Sequence, residues 1–215
     1  MKLATWNIQG LGQYGMKTRS WRWIIKHELD LVAIQEHKKH DHVGMLCYTK
    51  DFRLRYNGIM NKYSRCLFII RKDIHFKVLC DDSQGRFLII QHTLHDELYF
   101  CINVYAPNSL MERVKTWKDL LHALQSGAKL QVWNYAHILM CGDFNMVDAD
   151  VDCISASSVI SLQENVIWSE ILDFLNCKNL WGYIGRHTLR YTFHSRSHRK
   201  AMSRLDKGYY SHVFL

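Results

Sequence analysis

The residues best suited to chemistry sit where strands should end. Cys141-Gly142-Asp143-Phe144-Asn145 directly follows the apolar run His137-Ile138-Leu139-Met140. That pattern reads as a buried strand delivering an acid and an amide at its carboxyl end, where open α/β sheets place their ligands. Taken alone, Gly-Asp-x-Asn equally suits a turn in which Asp and Asn bond their own backbone. Other strand ends repeat the theme, however: Leu3–Ile8 carries Asn7, Leu31–Gln35 runs into Glu36, and Leu98–Val104 runs into Tyr105. An isolated turn does not account for all of them. Carboxylate oxygens suit a hard divalent cation, magnesium or manganese, whereas zinc would bring His or Cys at familiar spacing. The chemistry this set points to is phosphoryl chemistry. His37, His40 and His42 lack the i, i+4 pairing of a zinc helix and read as a solvated loop.

Positioning these residues requires strands alternating with helices. Helical spacing from Trp21 through Ile24, Ile25 and Glu28, with Thr18 or Ser20 as N-cap, predicts a helix whose Trp21, Ile24 and Ile25 face the core. Cys66–Ile70, Arg86–His92 and Leu98–Val104 read as an antiparallel meander turning at 81–85 and 95–97. Ser109-x-x-Glu112 opens a helix with the stripe Val114, Trp117, Leu121, Leu124. Ser161-x-x-Glu164 opens another with the inner face Ile167, Trp168, Ile171, Leu172, Leu175. Residues 147–158 read as a loop. Leu189–His194 and Ser203–Tyr210 read as a hairpin with the basic tip Ser195-Arg196-Ser197-His198-Arg199-Lys200, near Arg186, Arg190, Arg204 and Lys207. The tip suits either contact with phosphates or plain solvation.

Composition narrows the class. The 215 residues are enough for one domain, spanning 1–215, and no repeat or linker divides them. Lys and Arg (28) exceed Asp and Glu (20), a net charge of +8 that favours a polyanionic partner such as nucleic acid. The seven cysteines are odd in number and never Cys-x-x-Cys, which argues against a disulfide framework or a zinc knuckle and favours a reducing compartment. No apolar run reaches membrane-spanning length. The expectation is an intracellular protein with DNA as partner, nuclear rather than cytoplasmic, with no membrane contact and no obligate protein partner evident.

The series Thr5-Trp6-Asn7, Ala33-Ile34-Gln35-Glu36, Asn103-Val104-Tyr105-Ala106-Pro107, Gly142-Asp143-Phe144-Asn145 and Ser203-Arg204-Leu205-Asp206 resembles the endonuclease/exonuclease/phosphatase superfamily. Lys2–Gly12, Gly142–Met146, Leu180-Trp181 and Tyr191-Thr192-Phe193 look most like the endonuclease domain of plant LINE-type retrotransposons. The resemblance implies a four-layer α/β sandwich, two mixed sheets flanked by helices, here without its last strand. It also implies a magnesium-dependent phosphodiesterase acting on DNA, with manganese a possible substitute and a nick bearing 3′-hydroxyl and 5′-phosphate as product. Glu36 would ligate the metal with Asn7 close by. Asp143 would orient or deprotonate water, Asn145 would hold the phosphate, Tyr105 would bond the phosphate or the attacking group, and Asp206 would buttress a histidine further on. Arg196, Arg199, Lys200 and Thr192 are the candidate nucleic-acid contacts. The family's closing Ser-Asp-His motif has no counterpart before Leu215, and loss of one such electrostatic group costs about two to four orders of magnitude in rate. The alternatives are an inositol-phosphate phosphatase or sphingomyelinase of the same superfamily, and a catalytically dead, basic nucleic-acid-binding remnant.

Overall fold

The structure, a computed structural model, describes residues 1–10, 15–37, 50–57, 65–127, 133, 136–147, 153–154, 161–184, 191–194 and 202–211. Leu3–Asn7 (β1) and Leu31–Gln35 (β2) are parallel neighbours connected through helix Met16–Lys26 (α1). Phe52–Tyr56 (β3) and Cys66–Arg71 (β4) complete a four-stranded sheet in the order β1-β2-β4-β3. The larger sheet holds Phe76–Asp81 (β5), Phe87–Leu94 (β6), Glu97–Tyr105 (β7), His137–Asp143 (β8), Cys177–Asn179 (β10) and Asp206–Ser211 (β13). Its order is β10-β13-β8-β7-β6-β5. Helix Leu110–Gly127 (α2) connects β7 to its parallel neighbour β8, and Leu162–Leu175 (α3) packs beside α2. A short helix, Leu180–Ile184 (α4), follows β10.

The layers follow from strand alternation. Because successive side chains point to opposite faces, a strand covered on both sides must be apolar at nearly every position. In β2, Val32 and Ile34 face Trp21 and Ile24 of α1, while Leu31 and Ala33 face the other sheet. In β7, Phe100, Ile102 and Val104 face Trp117 and Trp168 of the outer helices, while Cys101 and Tyr105 face inward. The order is helix, sheet, sheet, helix: the four-layer α/β sandwich. Each fully buried Leu, Ile or Phe in these layers contributes on the order of 1.5–3 kcal/mol. One polar cluster crosses the inner layer. Gln35 and Asn103, both wholly buried, bond each other at 2.8 Å, and Asn103 Nδ2 also donates to the carbonyls of Ile34 and Leu67. These bonds tie β7 of one sheet to β2 and β4 of the other at a defined height.

Several expectations are corrected. The meander consists of β5, β6 and β7, whereas β4 pairs with β2 and β3 in the opposite sheet. Local alternation cannot report which sheet a strand joins. Helix α1 begins at Met16 after Gly15, so Ser20 is an interior residue, and Ile25 is 60 % exposed. The expected hairpin divides. Phe193–His194 (β11) pairs with Met202–Ser203 (β12), which also takes Cys153–Ile154 (β9) from the segment read as a loop, while β13 joins the large sheet beside β8. In α2 the buried stripe is Val114, Trp117, Leu120 and Leu124, with Leu121 on its flank. Helix α3 is capped as expected, Ser161 Oγ accepting from the Glu164 N–H at 3.3 Å. The described cysteines are free, and among the described residues no helix is long and apolar enough to cross a membrane.

Candidate active site

Strand register assembles the site. The parallel pairs align Asn7 with Gln35, one residue before Glu36, and Tyr105 with Asp143; antiparallel β13 brings Asp206 opposite Asp143. Since the sheets are stacked, these ends meet at one edge of the sandwich. Gly142 is required there. Its φ is +147°, and a Cβ would lie 2.0 Å from the Val104 carbonyl oxygen. Phe144 is buried against Trp117, Trp168 and Tyr209, anchoring the chain so that Asp143 and Asn145 are held on either side of a fixed ring. Glu36 (φ 54°) and Asn145 (φ 46°) both adopt the left-handed conformation, which costs a non-glycine residue about 1–2 kcal/mol.

Asn7 is the hub. Its Nδ2 donates to Asp143 Oδ2 at 2.6 Å and to Glu36 Oε1 at 3.1 Å, so two carboxylates converge on one amide. Asn7 Oδ1 accepts from the Gln9 N–H at 3.1 Å, which fixes the amide's orientation. Asp143 Oδ1 accepts from the Asn145 N–H at 3.1 Å, and Asn145 Nδ2 donates to the Ala106 carbonyl at 2.7 Å. Burial, and then the Asp206 and Glu36 carboxylates, push Asp143 up to about 6, although Asn7 and the Asn145 N–H oppose the shift. Burial and then Glu36 push the Tyr105 phenol up to about 12, so it keeps its proton at neutral pH. Asp206 is also raised, chiefly by burial, and its Oδ1 is buried without a hydrogen-bond partner.

These donors fit a divalent cation of the magnesium type. They are hard oxygens, three of them carboxylates: Asp206 and Glu36 both raise the proton affinity of Asp143, and one oxygen of Asp206 is unsatisfied. Among the described residues no group of three or more His, Cys, Asp or Glu side chains is placed to hold a metal ion by itself. A cation here would be held by one or two carboxylates, with water completing its shell.

The structure thus brings Asn7, Glu36, Tyr105, Asp143, Asn145 and Asp206 to one end of the sandwich. Thr192 has a structural duty: its Oγ1 accepts from the N–H groups of Leu205 and Asp206, both at 3.0 Å, positioning the start of β13. Lys207, grouped with the basic tip in the sequence, is buried, and the Arg204 guanidinium lies 5.0 Å from the Trp181 ring centroid. Arg196, Arg199 and Lys200, with His40 and His42, lie outside the described residues; His37 is buried against Tyr56. Arg65 and Arg86 flank Tyr105, their Cζ atoms 5.3 and 5.8 Å from its ring centroid. Nothing in their sequence surroundings marked them.

Residues 4–212 match the model of the Endonuclease/Exonuclease/phosphatase family. The chain belongs to that family. As a family member it is 26% identical over 160 residues to an exodeoxyribonuclease of Bacillus subtilis, a match covering 71% of this chain and 61% of the relative. The family chain therefore spans somewhat less than two thirds of that relative's length. Its fold resembles an AP endonuclease from Archaeoglobus fulgidus (TM-score 0.72, 16% identity, 98% of this chain and 86% of that one). It also resembles a 3′ phosphatase from Neisseria bound to a product DNA hairpin (TM-score 0.70, 19% identity, 99% and 87%). At these identities the structural likeness speaks for the family fold.

Proposed function

We propose that this family member is a metal-dependent phosphodiesterase acting on DNA, with its catalytic centre at the Asn7–Glu36–Asp143 cluster. The observation that carries the reading is the single amide shared by two carboxylates from different sheets. Glu36 would hold the divalent cation, magnesium with manganese able to substitute, and a bound cation supplies Lewis-acid charge to the phosphate. Asp143, near 6, is ionised at neutral pH yet basic enough to take a proton from water. One amide hydrogen of Asn145 is engaged by Ala106, leaving the other for a phosphate oxygen. The protonated Tyr105 phenol, bonded to Glu36 in this structure, would be a second donor once Glu36 turns to a cation. Asp206, across the ladder from Asp143, helps keep that proton affinity high. The family relatives named for action on DNA support the substrate class, as does the net charge of +8. We place the chain in the LINE-type branch on the motif details at Lys2–Gly12 and Gly142–Met146, and Arg196, Arg199 and Lys200 among its DNA contacts. A reverse-transcriptase reading frame downstream in the genome would support that branch.

Plasmid nicking in the presence of magnesium tests the proposal. Asp143→Ala is expected to lower the rate by about two to four orders of magnitude. Salt-sensitive DNA binding without nicking by the unaltered chain would replace the enzyme with a binding module. Release of phosphate from an inositol phosphate without nicking would move the assignment to a phosphatase.

A further inference from the structure

Arg65 and Arg86 form a cationic pair that the catalytic reading leaves unused. Arg65 immediately precedes β4, and its carbonyl accepts the Glu36 N–H at 2.9 Å. Arg86 immediately precedes β6. Its N–H donates to Asp82 Oδ2 at 2.7 Å and its carbonyl accepts the Tyr105 N–H at 2.7 Å. Both backbones are therefore bonded directly to residues of the site. Their guanidinium groups gather over the ring of Tyr105, the residue whose phenol faces Glu36.

Two like charges on one ring need a reason. Arg86 is largely buried, its nearest carboxylate is the exposed Glu112 at 3.6 Å, and its Nη1 is buried with no hydrogen-bond partner. Among the described residues Arg65 forms no ion pair. The same molecule shows an arginine that is satisfied: Arg113 grips Glu164 with two bonds of 2.7 and 3.1 Å. A guanidinium fork short of its acceptors matches a phosphate, which can take two parallel N–H bonds. Cation–π contact with the ring offsets part of the repulsion, but it leaves the Nη1 donor unanswered.

We propose that Arg65 and Arg86 form a second phosphate subsite, which receives a phosphate neighbouring the scissile one on the same polynucleotide strand. The inference rests on the phosphodiesterase reading and deepens it, since such a subsite favours a polynucleotide over an isolated diester. A bare cation pair serving only to hold Tyr105 is the competing account, and it affects every substrate alike.

The experiment compares two substrates with the full chain and magnesium: a short DNA duplex, and bis(p-nitrophenyl) phosphate, which has no neighbouring phosphate. Arg65→Met and Arg86→Met are expected to lower kcat/KM for the duplex about 10-fold further than for the single diester. Each should also reduce the salt slope of DNA binding, measured by fluorescence anisotropy with the metal chelated, by about one. Arg65→Lys, which keeps the charge, should retain the slope. Equal losses on both substrates, or an unchanged salt slope in folded variants, overturn the subsite. If either methionine variant fails to melt cooperatively, the lysine variant and the other arginine decide the outcome. Absence of cleavage of either substrate by the unaltered chain defeats the phosphodiesterase reading, while the salt slopes still judge the subsite.

Discussion

Two buried carboxylates in this protein are nearly equal in exposure and opposite in surroundings. Glu164, on α3, is 5% exposed and fully answered: Arg113 holds both oxygens and Trp117 Nε1 donates at 3.0 Å. Asp143, at the end of β8, is 6% exposed and faces Asp206 and Glu36, with an amide and one backbone N–H as its donors. Arg113 Nη1 also donates to the Asn108 carbonyl at 2.6 Å, so the satisfied pair secures the segment that leaves Tyr105. The contrast teaches that burial alone does not make a carboxylate reactive. A balanced acid stiffens the scaffold, whereas an acid crowded by like charge retains affinity for a proton or a cation.

The comparison can be broken by mutation. Glu164→Gln leaves the mostly covered Arg113 charge without its counter-ion and is expected to cost about 3 kcal/mol in chemical denaturation. Arg113→Met added to it should recover part of that loss, and failure to do so would show that the pair is not a balanced unit. Asp143→Asn should act with the opposite sign. A carboxyl whose folded-state value is raised binds its proton more tightly folded than unfolded. Its contribution to stability is therefore fully present below about pH 4 and is lost as the pH rises through about 6. With the metal chelated, Asp143→Asn should be more stable than the unaltered chain at pH 7.5 by up to about 3 kcal/mol, the difference closing by about pH 4. Urea titrations across that range check it; a difference independent of pH would remove electrostatic crowding as the cause. Smallest is Ser161→Ala, which removes the cap of the helix carrying Glu164. A cost of about 1 kcal/mol, equal at pH 5 and pH 8, is expected from thermal melts.

Legibility was uneven for physical reasons. Asn7, Glu36, Tyr105 and Asp143 were readable because each follows an apolar run, and both the run and its polar end are local in sequence. Ser161 was readable as a cap because capping acts within one turn. The capping-box reading of Glu164 did not reveal its ion pair, whose partner lies 51 residues away. Phe76–Asp81 mixes Lys77 and Asp81 with apolar residues at a half-exposed sheet edge, so its alternation is blurred. Ile25 was expected inside because helical spacing gives a periodicity without saying where the apolar face stops. Arg65 and Arg86 each directly precede a strand, where a basic residue is ordinary until the ring between them is seen.

By itself, then, the sequence determined the strands that end in chemistry, the oxygen character of the donors and the family, all of which depend on residue type and short-range spacing. Only the tertiary structure decided which sheet each strand enters, that one amide bridges Glu36 and Asp143, and that Arg65 and Arg86 meet on Tyr105. Those outcomes depend on register between distant segments and on how much charge is buried together. Neither quantity exists until the two sheets are stacked.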